Sequence, residues 1–462
     1  MKKIFKRLVA AGLGVTIVAG SLAGCSSGSG TGETQAASQA ETTAAESASG
    51  DRGQAAETEE LVAEEGAEIE IAYWEGSQSD KDAWDWAIAK LKEDHPEITI
   101  TTQIYPSDTY RDQLDTRIAG DDWPDVMRYT YQRLGKFKDS NTMLDLTPYI
   151  GQESLDDLIP AFREACMYDG KLVAMPHHTD VIALFYNKKM LADAGIEVPQ
   201  SLEEAWTVEE FTDIARQLKE ANGLDYAMGG IWENSSGYRW LPFLYMYGGS
   251  LMNEDQTAIT MDTPEALEAI KLYESWRQED LINNVAFTAT PACNMMFVAN
   301  QLAFAFAGSW HCSYMEENMP DGWGVTYMPQ KDGKTGSDMG GNGLFAYAGT
   351  EYPKAAAIVI EYLTNAENMK GFCEAGNFIP VRQSLMEEGL TFSSFQEEME
   401  LFMEIAGTID EKMASDETSV PFQELNIALN EAMDPMIVDG SSTAEEVAQN
   451  CQTTMTEILE SY

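Results

Sequence analysis

The sequence predicts an α/β protein of two domains. Three observations carry that expectation. Beyond residue 66, short alternating apolar runs take turns with amphipathic helical ones, the pattern of parallel β-α-β units. About 395 residues lie in that region, enough for two hydrophobic cores. The five cysteines after Cys25 are scattered, odd in number and without CxxC spacing, so the fold is expected to rest on packing, with its thiols free and buried.

The elements follow in order. Lys2, Lys3, Lys6 and Arg7 precede an apolar run from Leu8 to Ala19, too short for a permanent span and read as a signal-peptide core. Leu22-Ala23-Gly24-Cys25 closes it. From Ser26 to about Gly66 the chain is Ser, Gly, Thr, Ala, Gln and Glu without an aromatic residue. Such a stretch cannot bury enough apolar surface to offset the entropy of ordering and is expected to be a disordered tether. Its span as a coil is about 35 Å.

Ile69 to Trp74 alternates as a strand and breaks at Glu75-Gly76-Ser77; Ser79 is placed to cap a helix over 80–93. A strand over 98–104, a helix over 110–118 and a strand opening at Pro124-Asp125-Val126-Met127 follow. Strands are expected over 171–176 and 181–186, and a short helix over 188–194. Thr207-Val208-Glu209-Glu210 reads as a capping box, and Thr263-Pro264-Glu265 starts another helix. Strands are expected over 302–306 and 324–328, a helix over 353–363, and a mainly helical last third. In parallel sheets ligands sit beyond the C-terminal strand ends. That places Trp74, Glu75 and Tyr129 near a crevice.

The formal net charge is −48, and −52 once the four basic residues before Cys25 are removed. So acidic a surface argues against nucleic acid and anionic lipid headgroups. No phosphate-cradling glycine loop or nucleophile elbow is present.

Leu22-Ala23-Gly24-Cys25 resembles the lipobox of bacterial lipoproteins, which implies cleavage after residue 24 and lipidation of Cys25. Further along, the motifs are Trp123-Pro124-Asp125-Val126, Leu144-Asp145-Leu146-Thr147-Pro148-Tyr149 and Gly170-Lys171-Leu172-Val173-Ala174-Met175-Pro176. Phe185-Tyr186-Asn187-Lys188-Lys189-Met190, Ala194-Gly195-Ile196, Gly308-Ser309-Trp310 and Phe378-Ile379-Pro380-Val381-Arg382 follow. In this order and spacing they resemble the extracellular solute-binding proteins of ABC importers, in the group that includes maltodextrin-binding proteins. The resemblance implies a two-lobed fold of the periplasmic-binding-protein kind (type II), each lobe a mixed sheet flanked by helices, with a hinge crossed more than once. It implies a first lobe over 67–177 plus 323–380 and a second over 178–322 plus 381–462. It further implies a monomer tethered outside the cell membrane that captures a carbohydrate without cofactor, metal or catalysis and delivers it to a permease.

A pyranose has an apolar C–H face and a hydroxyl rim, so aromatic rings with interspersed carboxylates, amides and arginines suit it. Trp310, after Gly308-Ser309, resembles the family's stacking aromatic. Asp180 lies where the family often has a hinge-side carboxylate, and Tyr129 and Arg133 where maltodextrin members carry an aromatic and a basic residue. Trp74 and Glu75 occupy the first loop. Trp232, Tyr238 and Trp240 cluster before Tyr247-Gly248-Gly249, and one of them is expected to line the site. Asn342, in Gly340-Gly341-Asn342-Gly343, and Arg382 complete the set. Trp84 and Trp86 fit packing or surface roles. The first loop lacks the Asp-Lys pair of maltodextrin members, so their specificity is not carried over. Two alternatives stay open. One is a metal-binding importer component using His177, His178 or His311, although adjacent histidines in an extended segment point to opposite sides. The other is a secreted glycoside hydrolase, which needs two carboxylates at a fixed separation.

Overall fold

The structure is a computed structural model that describes residues 61–107, 109–138, 140–230, 237–285 and 293–462. Cys25, the tether and Trp232 lie outside the described residues. The first strands are β1 (Glu68–Glu75), β2 (Thr99–Pro106) and β3 (Val126–Thr130), separated by the helices Gln78–Asp94 and Tyr110–Ala119. A two-residue hairpin, β4 (Met167–Tyr168) and β5 (Lys171–Leu172), leads to β6 (Met175–His178) and β7 (Ile182–Asn187). Then come β8 (Met228–Gly230), β9 (Phe304–Gly308) and β10 (Trp323–Thr326). A second hairpin, β11 (Gln330–Lys331) and β12 (Lys334–Thr335), precedes β13 (Asn342–Ala346).

Two main sheets result, ordered β2-β1-β3-β13-β6 and β10-β7-β9-β8. β1 lies parallel to β2 and β3, as β-α-β units require. β13 inserts antiparallel between β3 and β6, so the first sheet is mixed. In the second sheet β7 runs antiparallel to β9 and β10, while β8 is parallel to β9.

Pairing moves two of the three expected lobe boundaries. β10 pairs with β7, and Gln330 bridges Thr207, so residues 323–335 belong with the second sheet rather than the first lobe. The chain returns to the first sheet at Asp338–Gly341, just before β13. At the other boundary, Arg382 and Gln383 remain bonded to Ser154 and Asp157 on the first sheet's side. Only with the helix Gln396–Ala406, which packs on β7 and β10, does the chain rejoin the second. An alternating run reads the same whichever sheet receives it, so its hydrogen-bond partner decides.

At the crossings Thr179 N donates to Ile379 O at 2.8 Å, and Thr179 Oγ1 donates to Gly340 O at 3.0 Å. Gly341 has φ +91°, and a Cβ there would come 2.3 Å from His178 O. Glycine is required on both counts.

Capping follows local chemistry. Thr207 forms the expected capping box with Glu210, and Thr263 accepts from Ala266 N. The first helix starts earlier than expected: Ser77, not Ser79, accepts from Asp80 N at 3.1 Å. Trp84 is buried and stacks on Tyr73 at 4.1 Å, while Trp276 packs against Phe211, Phe243 and Phe306 in the second core. Half-buried Trp86 covers Gly371, where a Cβ would lie 2.2 Å from its ring. Cys166, Cys293, Cys312, Cys373 and Cys451 are free and buried. Among the described residues no helix is long and apolar enough to cross a membrane.

Candidate ligand-binding site

β1 delivers Trp74 and Glu75 to its C-terminal end, both half-buried. The Arg128 guanidinium lies 4.0 Å from the Trp74 ring centroid. It donates to Trp74 O at 2.8 Å and to both Asp80 oxygens at 3.0 and 3.1 Å. Asp80 also accepts from Gly76 N at 2.9 Å, closing the loop after the strand. Glu75 Oε1 is buried without a hydrogen-bond partner. Burial raises the Glu75 carboxyl above its usual range against the pull of Lys81. Arg133, half-buried on the helix Tyr131–Lys138, makes no hydrogen bond or ion pair with a described residue. Burial and then neighbouring Arg111 lower it.

The second sheet contributes Trp310, directly after β9, and the short helical turn Gly237–Trp240. Arg239 sits 4.2 Å from the Trp310 ring centroid and 4.9 Å from that of Tyr238. It pairs with Asp338, which is fully buried and also accepts from Ile182 N at 3.0 Å. Its other neighbour is Asp180 Oδ1 at 3.8 Å. That oxygen is buried and has no hydrogen-bond partner. Burial pushes the Asp180 carboxyl up to about 6; Arg239 opposes the shift and Asp338 adds to it. Glu417, also fully buried, is raised by burial and receives Met339 N at 3.3 Å and Gln132 Nε2 at 3.4 Å.

A continuous row results. Trp74 rests on Arg128, whose Nη2 lies 3.1 Å from His178 Nε2 and whose charge reaches Asp180; Asp180 faces Arg239, which rests on Trp310. Arg133 lies within electrostatic reach of Tyr238, whose N–H donates to Asn426 Oδ1 at 2.8 Å. The row carries two half-buried indoles, two carboxylate oxygens awaiting donors and one guanidinium without a partner among the described residues. It offers face-on and edge-on contacts together.

Four expected site residues are buried. Tyr129 is 1% exposed, packs on Phe137 and Phe345, and donates to Asp115 at 2.9 Å. Alternation along β3 turns it into the core and turns Arg128 toward the row. Trp240 is fully buried as the helix-start residue its apolar neighbours favour. Asn342 is 3% exposed in β13; with its amide oriented to fit its neighbours, it accepts from Arg128 and His178. Arg382 is 2% exposed and donates to Thr364 O at 2.8 Å, Ser154 O at 3.0 Å, Ser154 Oγ at 2.9 Å and Asp157 at 3.2 Å. It fastens one lobe internally and offers a ligand nothing.

The histidines also differ from expectation. His177 and His178 do not diverge: both rings contact Phe372, at 4.2 and 5.7 Å, on the helix Ala366–Gly376, which packs on β6. Among the described residues no group of three or more His, Cys, Asp or Glu is placed to hold a metal ion. Sequence reasoning missed Arg128, Arg239, Asp338 and Glu417. For Arg239 a signal existed, since an arginine between Tyr238 and Trp240 is set among rings. For Asp338 and Glu417 none did, because their partners are distant in the chain.

Two sheets linked by crossing strands, with rings and charges converging where they cross, define a two-lobed binding protein. The chain belongs to the bacterial extracellular solute-binding protein family, whose profile matches residues 75–370. A maltotriose-binding protein of Pyrococcus abyssi is 24% identical over 300 residues, spanning 63% of this chain and 62% of that one. The maltodextrin-binding protein MdxE of Bacillus subtilis is 26% identical over 275 residues, spanning 56% and 60%. Among solved structures, the GacH receptor of Streptomyces glaucescens superposes with a TM-score of 0.72 at 22% identity, covering 86% of this chain and all of that one. The cyclic α-maltosyl-1,6-maltose binding protein of Arthrobacter globiformis gives 0.73 at 16% identity, again over 86% of this chain. These two likenesses establish the fold.

Proposed function

We propose that the chain is the extracellular substrate-binding component of an ABC importer, which captures a sugar or oligosaccharide between its lobes and hands it to the permease. The observation that carries this reading is the presence of Trp74 from one sheet and Trp310 from the other beside buried Glu75 and Asp180 oxygens that lack a hydrogen bond. Indole faces suit the C–H face of a pyranose, and acceptors without donors suit its hydroxyls. The names of relatives that bind maltotriose and maltodextrin support a carbohydrate. The altered first loop, Trp74-Glu75-Gly76-Ser77-Gln78, leaves the particular sugar to experiment.

Ligand bridging the lobes favours the closed form. Moving a population from mostly open to mostly closed takes about 5.5 kcal/mol of differential binding. A micromolar dissociation constant represents about 8 kcal/mol, so closure is within reach of such a ligand. The protein works as a monomer, binds without cofactor or turnover, and is held outside the membrane by acyl chains on Cys25. Lasting attachment takes two or more chains.

Calorimetry against a panel of mono- and oligosaccharides tests capture, with micromolar binding to at least one expected. No heat with any saccharide, at pH values on both sides of 6, overturns it. Turnover of labelled oligosaccharide would replace binding by hydrolysis. Cys25→Ala is expected to release the protein into the medium; unchanged membrane retention rejects the anchor.

A further inference from the structure

Ring contacts alone do not orient a half-buried indole at a crevice, yet a stacking platform works only if its face is held in place. Trp74 has an unusual support. Arg128 spreads beneath its ring at 4.0 Å and simultaneously holds its backbone carbonyl at 2.8 Å. The guanidinium is held by Asp80, both of whose oxygens accept from Nη1 at 3.0 and 3.1 Å, with side chains 2% and 4% exposed. Asp80 in turn closes the loop through Gly76 N at 2.9 Å, and Ser77 caps the helix that carries it. On its far side Arg128 Nη2 meets His178 Nε2 at 3.1 Å, one residue before the crossing at Thr179.

The second lobe repeats the device with unrelated elements. Arg239 lies 4.2 Å from the Trp310 ring and is locked by the fully buried Asp338. Each crevice indole therefore rests on a guanidinium, and each guanidinium on a buried aspartate.

We propose that Arg128, fixed by Asp80, is the positioning residue for Trp74: it holds the indole as the first lobe's stacking platform and joins the first loop to the crossing strand. It acts through Trp74, without contacting ligand. The proposal rests on the saccharide-binding reading and deepens it. The guanidinium occupies one face of the ring and Tyr110 lies 5.0 Å away at a 49° tilt, so the ligand stacks on the surface these two leave open.

Fluorotryptophan labelling with fluorine NMR tests positioning without ligand, the Trp74 resonance being assigned by its loss in Trp74→Phe. Arg128→Lys keeps the charge but loses the planar guanidinium beneath the ring and the Nη2 contact to His178. It is expected to shift and broaden the Trp74 resonance and to weaken saccharide binding about fivefold, the scale of one cation–π contact. Asp80→Asn should give the same signature with Arg128 intact and serves if the lysine variant folds poorly. The double variant Trp74→Ala/Arg128→Lys should bind as Trp74→Ala alone does, because the arginine acts only through the ring. A Trp74 resonance unmoved in both variants, with only the melting temperature lowered, overturns the proposal. Additive losses of affinity overturn it too. If the wild-type protein binds no saccharide, the capture reading fails while the resonance still decides on positioning.

Discussion

A side chain that binds a transient ligand must leave some of its polar or aromatic surface unspent, and that separates the site residues here. Arg382 and Tyr129 are buried and bonded internally, whereas Trp310 is only half-buried and Glu75 and Asp180 each keep an oxygen without a hydrogen-bond donor. Trp310→Ala is expected to weaken saccharide binding about tenfold or more, a change of roughly 1.4 kcal/mol, with an unchanged fold. Isothermal titration with circular dichroism checks both parts. Asp180 makes a second prediction, because its carboxyl is raised to about 6. Sugar hydroxyls donate to the ionised form, so affinity should fall about tenfold from pH 7 to pH 5, and Asp180→Asn should flatten that profile. Stability moves the other way. The folded state holds this proton more tightly than the unfolded chain does. The contribution is therefore complete below the ordinary value of 3.8 and is lost as pH rises through about 6. Parallel affinity and stability profiles would contradict the assignment.

Among the elements, those set by local chemistry were legible and those set by partner choice were not. The capping box at Thr207 and the start at Thr263 follow from hydrogen bonds within one turn. β10 carries a pattern that suits either sheet, and only pairing with β7 assigns it to the second. Arg382 shows the same limit: its place after the Pro380-Val381 element suggested a ligand contact, while its partners Ser154, Asp157 and Thr364 make it a fastening. Arg382→Ala should therefore destabilise the protein by about 3 kcal/mol while leaving saccharide affinity within about twofold. Denaturant unfolding beside calorimetry measures the two. A large loss of affinity at unchanged stability would return Arg382 to the site.

For the whole molecule, the proposed capture requires two cores that move about the strands they share. The crossings at Thr179, Gly340–Gly341 and Ile379 are hydrogen-bonded to one another, and bending on closure is expected to concentrate there. Small-angle scattering should show a smaller radius of gyration with the saccharide that calorimetry selects. The change should vanish in a double Trp74→Ala/Trp310→Ala variant, which removes a platform from each lobe. An unaltered scattering curve at saturating ligand would mean that binding does not close the lobes.

Periodicity, caps and turns are short-range properties, so the sequence alone determined the α/β class, the order of most strands and helices, and the candidacy of Trp74 and Glu75; that of Asp180 and Trp310 came from the family resemblance. Tertiary structure decided what long-range contact decides: which sheet receives β10, that Tyr129, Trp240 and Asn342 are buried, and that guanidinium–aspartate pairs lie under both indoles. The physical reason is one of distance along the chain. Asp80 meets Arg128 and Arg239 meets Asp338 only after the sheets have formed, and no local pattern encodes such a meeting.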